Sequence, residues 1–244
     1  MVRTKTADRV WLTGTVIGGV FLLAGDFLQF KANRLVSGEG VSLWRSDPLF
    51  FSGILFMWIL LLAGGMVSNA RLKKGAALIG VGLLLALLFL AGHLSSSILS
   101  GEPEFARVSL GSGFWGSLFG IFMVLIHAGK TLPASRFRTL MGALLLLGVL
   151  LITLSGVLDS LSLVREFFTR EDRFYGEFLD HLKITFLSVG ASTAVGLPLG
   201  VALIRIRSLQ RPVFSILNTV QTVPSLALFG LLIAPLALLS EKFE

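Results

Sequence analysis

Residues 184–207 read ITFLSVGASTAVGLPLGVALIRIR. The run is long and apolar enough to cross a bilayer, which takes about 20 mostly hydrocarbon side chains. Its polar groups are small hydroxyls, Thr185, Ser188, Ser192 and Thr193, followed by Gly196, Pro198 and Gly200. A hydroxyl can bond a carbonyl of its own helix, so these residues are tolerated in hydrocarbon. Pro198 removes a backbone donor and crowds the preceding turn, which favours a kink. The flanking glycines offer a face that another helix can approach closely. The run ends in Arg205, Arg207 and Arg211, three cations in one short segment. This is the pattern of a membrane helix, and the rest of the chain repeats it.

Comparable apolar runs occupy residues 10–30, 49–67, 75–93, 113–129, 140–158 and 213–239. With 184–204 they make about seven spans, so the expected fold class is an all-α, polytopic transmembrane protein. Composition agrees: of 244 residues, 54% are apolar and only 14% charged, with a mean hydropathy of +0.86. That places the chain in the membrane class. The net charge of +7 sits in short blocks between apolar runs and forms no basic face with interleaved aromatics. Nucleic-acid binding is therefore not expected. Without cysteine, disulfides and thiol chemistry are excluded.

The basic blocks alternate between spans. Arg3, Lys5 and Arg9, then Arg71, Lys73 and Lys74, then Lys130, Arg136 and Arg138, then Arg205, Arg207 and Arg211 fall on one side. They hold 12 of the 21 basic residues and one acid, Asp8. Lysine and arginine in short loops mark the cytoplasmic side, so the N-terminus is expected inside. The first run resembles a signal peptide in its positive start, but it is too long for a signal core and no clear cleavage site follows, so it reads as an uncleaved anchor. Asp26 falls inside that run, near its outer end. Snorkelling to the interface accounts for it, and a place in a buried polar pathway is the alternative.

The first five runs carry almost no polar side chains, and glycines such as Gly116 and Gly120 read as packing positions. His93 and His127 each lie near a span end with no second metal-type residue at helical spacing, so they read as interfacial and no metal site is expected. Residues 159–183 are densely charged. Phe167, Phe174, Phe178 and Leu182 recur near helical spacing, as expected of one or two amphipathic helices on the outer face. The charged stretch Arg170, Glu171, Asp172 and Arg173 is a surface for an extracytoplasmic partner or a solvated helix face. The last run differs again, with Asn218, Gln221, Thr222 and Ser225 beside Pro224. An unpaired amide in lipid costs several kcal/mol, about 4–8 on a hydrocarbon scale. Such groups belong where a helix faces protein or a wet cavity, and Pro224 and Pro235 are positioned to split the run.

Three words carry a family resemblance: His181-Leu182 before the sixth run, Gly196-Leu197-Pro198-Leu199-Gly200 within it, and Gln221-Thr222-Val223-Pro224-Ser225 in the seventh. Over residues 177–235 the sequence resembles the inner-membrane permease domain of binding-protein-dependent ABC importers. It is most similar to the branch that takes up osmoprotectants such as glycine betaine, choline and carnitine. The first five runs resemble the extra N-terminal region of some permeases of that branch in composition only.

The resemblance implies three parts: a five-span membrane region at 1–158, an amphipathic extracytoplasmic segment at 159–183, and the start of a permease core, beginning near residue 177 and filling 184–244. It implies a bacterial inner-membrane protein. Its partners would be ATP-hydrolysing subunits, an extracytoplasmic substrate-binding protein, a second permease chain and membrane lipid. Asn218, Gln221, Thr222, Pro224 and Ser225 would line the solute path, and Gly196, Pro198 and Gly200 would set kink and packing. ATP would be used by the partner. This chain has no G-x-x-x-x-G-K-[ST] pattern, no hydrolase or metalloprotease motif and no expected catalytic residue or cofactor. The loop that couples such permeases to the ATPase is not found before Glu244, so a fragment or truncated product is expected. A permease for amino acids, or a membrane scaffold or sensor, are the alternative readings.

Overall fold

The computed structural model describes residues 8–33, 36–132, 135–222 and 225–240. It divides into two compact units, residues 1–171 and 172–244. In the first unit the helices are α1 (Arg9–Ala24), α2 (Leu43–Ser46), α3 (Pro48–Met66), α4 (Ala70–Leu99), α5 (Ser112–Thr131), α6 (Ser135–Leu154) and α7 (Ser162–Thr169). The second unit holds nearly all of α8 (Glu171–Arg205), a 3-10 turn (Arg207–Leu209), α9 (Gln210–Thr222) and α10 (Ser225–Ser240). Five helices, α3, α4, α5, α6 and α8, are long and apolar enough to cross a membrane, and a sixth span exists if bent α9–α10 counts as one. The chain is an all-α polytopic membrane protein, as its composition requires.

The caps follow the sequence closely. Asp8 accepts the Trp11 amide at the start of α1, Asp47 the Phe50 amide at the start of α3, and Asn69 the Arg71 amide at the start of α4. Each satisfies a donor that the first helical turn leaves orphaned. Pro48 stands in the first turn of α3, where its missing N–H costs nothing.

The first run corrects the sequence reading. Apolar character continues to Phe30, but α1 ends at Ala24 and Leu28–Lys31 is a strand, β1. Asp26 is therefore not within a helix; its carbonyl accepts the Gly113 amide at 2.8 Å. Gly25 and Gly113 approach so closely that a Cβ on Gly25 would lie 2.7 Å from the Gly113 nitrogen. Glycine ends the helix here because the chain must turn against the start of α5. β1 is the middle of a three-stranded antiparallel sheet, flanked by β2 (Glu39–Val41) and β3 (Arg107–Leu110). The sheet lies at the ends of the helices opposite the basic loops. Strands this short carry no periodicity that a sequence reading can separate from a helix end.

α1 and α5 run antiparallel along a glycine seam. A Cβ on Gly14 would lie 2.9 Å from the Gly120 carbonyl oxygen, and one on Gly120 would strike the backbone of Gly14 and Gly18. Two tryptophans lock α1 to α3 reciprocally. The Trp11 indole donates to the Leu61 carbonyl at 2.7 Å, and the Trp58 indole donates to the Thr15 carbonyl at 2.9 Å. All four residues are buried, which gives both indole donors a partner without water. α4 is the most enclosed of the long helices and α6 the least enclosed in this unit, so α6 presents its leucines outward, as a lipid-facing helix does.

At the basic end, Asp8 gathers three helices. Lys73 of α4 reaches its carboxylate at 2.8 Å and His127 of α5 at 2.9 Å, while Asp8 itself caps α1. Burial raises the Asp8 pKa, but hydrogen bonds from Lys73, His127 and the Trp11 amide, with the charge of His127, outweigh it and hold the carboxyl below its usual range. A depressed carboxylate stabilises the fold above its unfolded pKa of about 3.9 and loses that contribution as pH falls through the lower, folded value. Asp8→Asn keeps the cap but loses both pairings. It is expected to lower stability by about 2 kcal/mol at neutral pH. Thermal denaturation in detergent should show the gap between the two proteins closing as pH falls below the carboxylate range.

In the second unit, α8 has 35 residues, about 52 Å of helix, well beyond a hydrocarbon core of about 30 Å. Its first turns contain the charged residues from Glu171 to Lys183, so part of the expected amphipathic segment continues into the apolar span without a break. α7 forms the other part. The helix passes Pro198 uninterrupted.

Candidate functional site

The face of α8 that carries Ser188, Ser192, Thr193 and Gly196, with Val189 and Leu197, borders an open hollow of about 510 Å³. Ser188, Ser192 and Gly196 recur every fourth residue, the spacing that stacks side chains along one helix face. A Cβ on Gly196 or Gly200 would meet nothing within 4 Å. The glycines therefore leave space that no described residue of this chain fills. Thr185, one turn earlier, returns its hydroxyl to the His181 carbonyl at 2.8 Å.

Asn218, Gln221 and Thr222 lie on α9 at three- and four-residue spacing, so the structure brings them to one face. Thr222 is satisfied locally by the Thr219 carbonyl at 2.7 Å. Asn218 and Gln221 are exposed, and among the described residues neither amide has a hydrogen-bond partner. Ser225 opens α10, and Pro224 lies outside the described residues. Pro235 stands inside α10. The turn between Arg205 and α9 is secured by Gln210, whose side-chain amide donates to the Leu203 carbonyl at 2.8 Å. The arrangement offers amide and hydroxyl groups on otherwise apolar helices, groups able to donate and to accept hydrogen bonds.

The charged stretch before the span pairs along its own helices. Arg170 bonds Glu166 at 2.8 Å, and Arg173 stands 3.7 Å from Glu177. Glu171 and Asp172 are exposed. Solvated pairs of this kind contribute little to stability. The polar cluster that the sequence reading missed is Asp8–Lys73–His127, which ties three helices together. Its signal was Asp8 itself, the lone acid among the basic blocks.

Two comparisons bear on this architecture. Residues 8–164, which hold α1, the four long helices α3–α6 and the sheet, match the family described as ABC transporter permease YehY, N-terminal domain. The osmoprotectant import permease protein OsmW of Salmonella typhimurium is 41% identical over 61 residues, 25% of this chain and 28% of that protein. The chain thus spans little more than a quarter of that relative's length. No solved structure matches the chain. The family match covers well over half of the sequence and coincides with the unit built on the glycine seam and the tryptophan pair: the chain belongs to the family of the N-terminal domain of ABC transporter permease YehY.

Proposed function

We propose that this chain is part of the permease subunit of an ATP-driven importer in a bacterial inner membrane, and that α8–α10 form part of the path for a small osmoprotectant such as glycine betaine or choline. The observation that carries the reading is the polar face of α9, where the amides of Asn218 and Gln221 have no hydrogen-bond partner among the described residues. An amide is retained in such a setting where water or a solute bonds it. The open hydroxyl–glycine face of α8 supports the same reading, as does the name of the partial relative from Salmonella typhimurium. The division of labour follows. A binding protein outside captures the solute, a second permease chain completes the path, and separate subunits inside hydrolyse ATP.

The path needs only weak contacts, since a solute held tightly would not leave. Gln221→Leu replaces a donor–acceptor pair with hydrocarbon of similar size. It should lower uptake of labelled glycine betaine or choline in membrane vesicles at least about tenfold, the equivalent of one charge-free hydrogen bond left unmade. Unchanged uptake at equal protein level would remove Gln221 from the path. Uptake of amino acids instead would change the solute class, and no uptake by the parent protein would favour a scaffold.

A further inference from the structure

At the outer end of the N-terminal unit, β1 and β3 pair so that Lys31 stands directly opposite Arg107. Like charges in register across a ladder are destabilising. Arg165 of α7 adds a third cation. Its guanidinium lies 3.3 Å from the carbonyls of Ala106 and Glu104, the same two carbonyls that accept from Arg107 at 2.9 and 2.7 Å. Carbonyls satisfy donors but bring no negative charge. Among the described residues, none of Lys31, Arg107 and Arg165 makes an ion pair. The Nε of Arg107 is enclosed and has no acceptor among them. Lys31, Arg107, Ser109, Ser162, Leu163 and Glu166 line a hollow of about 520 Å³. Its one acid, Glu166, is engaged by Arg170 at 2.8 Å.

We propose that this hollow is a binding site for a small dissolved oxyanion, a carboxylate or a phosphate. Arginine presents planar donors that match such a group, and lysine adds a point charge. The hydroxyls of Ser109 and Ser162 supply further donors at the wall. A bound anion answers the otherwise unfavourable opposition of Lys31 and Arg107, whereas the Nε of Arg107 is enclosed by the chain itself and lies out of its reach. Position favours a dissolved ligand over a lipid head group. The ladder begins at Leu28 opposite Leu110, next to the helix ends, and reaches Lys31 opposite Arg107 three residues later, about 10 Å farther along.

The test is a titration of the full chain in detergent with inorganic phosphate or acetate, against chloride at matched ionic strength. A ligand that binds only the folded state raises the melting temperature saturably, here by about 2–4 °C. Lys31→Gln combined with Arg107→Gln should weaken the apparent affinity at least about tenfold. Without added anion, the same variant should melt no lower than the parent, because the opposed charges are gone. A purely structural pair would instead show lowered melting with the anion response intact. If the double variant does not fold, Lys31→Gln alone must still weaken the response, and Lys130→Gln at the opposite end must not. The proposal is overturned by the absence of a saturable response, by an unchanged response in the variants, or by a response to vesicles of anionic phospholipid but not to the dissolved anions.

Discussion

Gly120→Leu is expected to separate α1 from α5 and to destabilise the N-terminal unit by about 3 kcal/mol or more, the upper range for overpacking a closed interface. A Cβ at this position would collide with the backbone of Gly14 and Gly18, and backbone cannot rotate away as a side-chain tip can. The seam also positions its neighbours. Ser117 on α5 shares its one hydroxyl proton between the Gly113 carbonyl of its own helix at 2.6 Å and the Gly18 carbonyl across the seam at 3.2 Å, so widening the seam breaks the second contact while the first remains. Gly142→Leu on α6 is the control, because a Cβ there meets nothing within 4 Å. Thermal denaturation in detergent should show a large loss for the first variant and little change for the second. Equal melting temperatures would mean that α1 and α5 do not pack as described.

Gly196→Leu is expected to do the reverse: leave melting of the protein unchanged and reduce uptake of an osmoprotectant more than about tenfold. Nothing in the described chain lies within 4 Å of a Cβ at Gly196, so the leucine meets no clash, and in a helix interior it is favoured over glycine by roughly 0.5–1 kcal/mol. The functional cost follows from the proposed role of the face. A leucine would fill the hollow beside Ser192 and Thr193, where a solute or a second permease helix is expected. The contrast between Gly120 and Gly196 separates the two units by what their glycines do. One set closes an interface within the chain, and the other leaves a face open.

Much of the fold was legible because hydrophobic length is a strong signal. Five of the seven apolar runs fall on helices long enough to cross a membrane, whereas the first leaves its helix at Ala24 and the last is divided between α9 and α10; the alternating basic blocks agree with the direction of the helices in the first unit. The outer sheet was not legible. Leu28–Lys31 follows α1 after only Gly25, Asp26 and Phe27, too short an interruption to separate the two, and the pairing with Arg107–Leu110, far away in sequence, makes it a strand. Asp26 was misplaced for the same reason. The continuous helix across 171–205 was hidden by its change from charged to apolar residues, which reads as a boundary although the backbone has none.

The shared face of the proposed path residues was legible, because the three- and four-residue spacing of Asn218, Gln221 and Thr222 brings them to one side of α9. The family words and the family match fall on different parts of the chain. The words lie at 177–235, whereas the matching family covers residues 8–164, whose runs of leucine and glycine offered only composition to a reader. Pairings such as Trp11 with Leu61 or Asp8 with His127 were beyond reach, since each joins residues 50 or more positions apart with no spacing rule between them.

The role proposed for this chain is a part in ATP-driven uptake of an osmoprotectant. The most direct measurement is uptake of labelled glycine betaine and choline by cells that produce the chain with its transport partners, compared with cells lacking the chain, with amino acids as competitors. Uptake should require the chain and ATP, show competition between the two quaternary amines and be unaffected by amino acids. Equal uptake with and without the chain would contradict it.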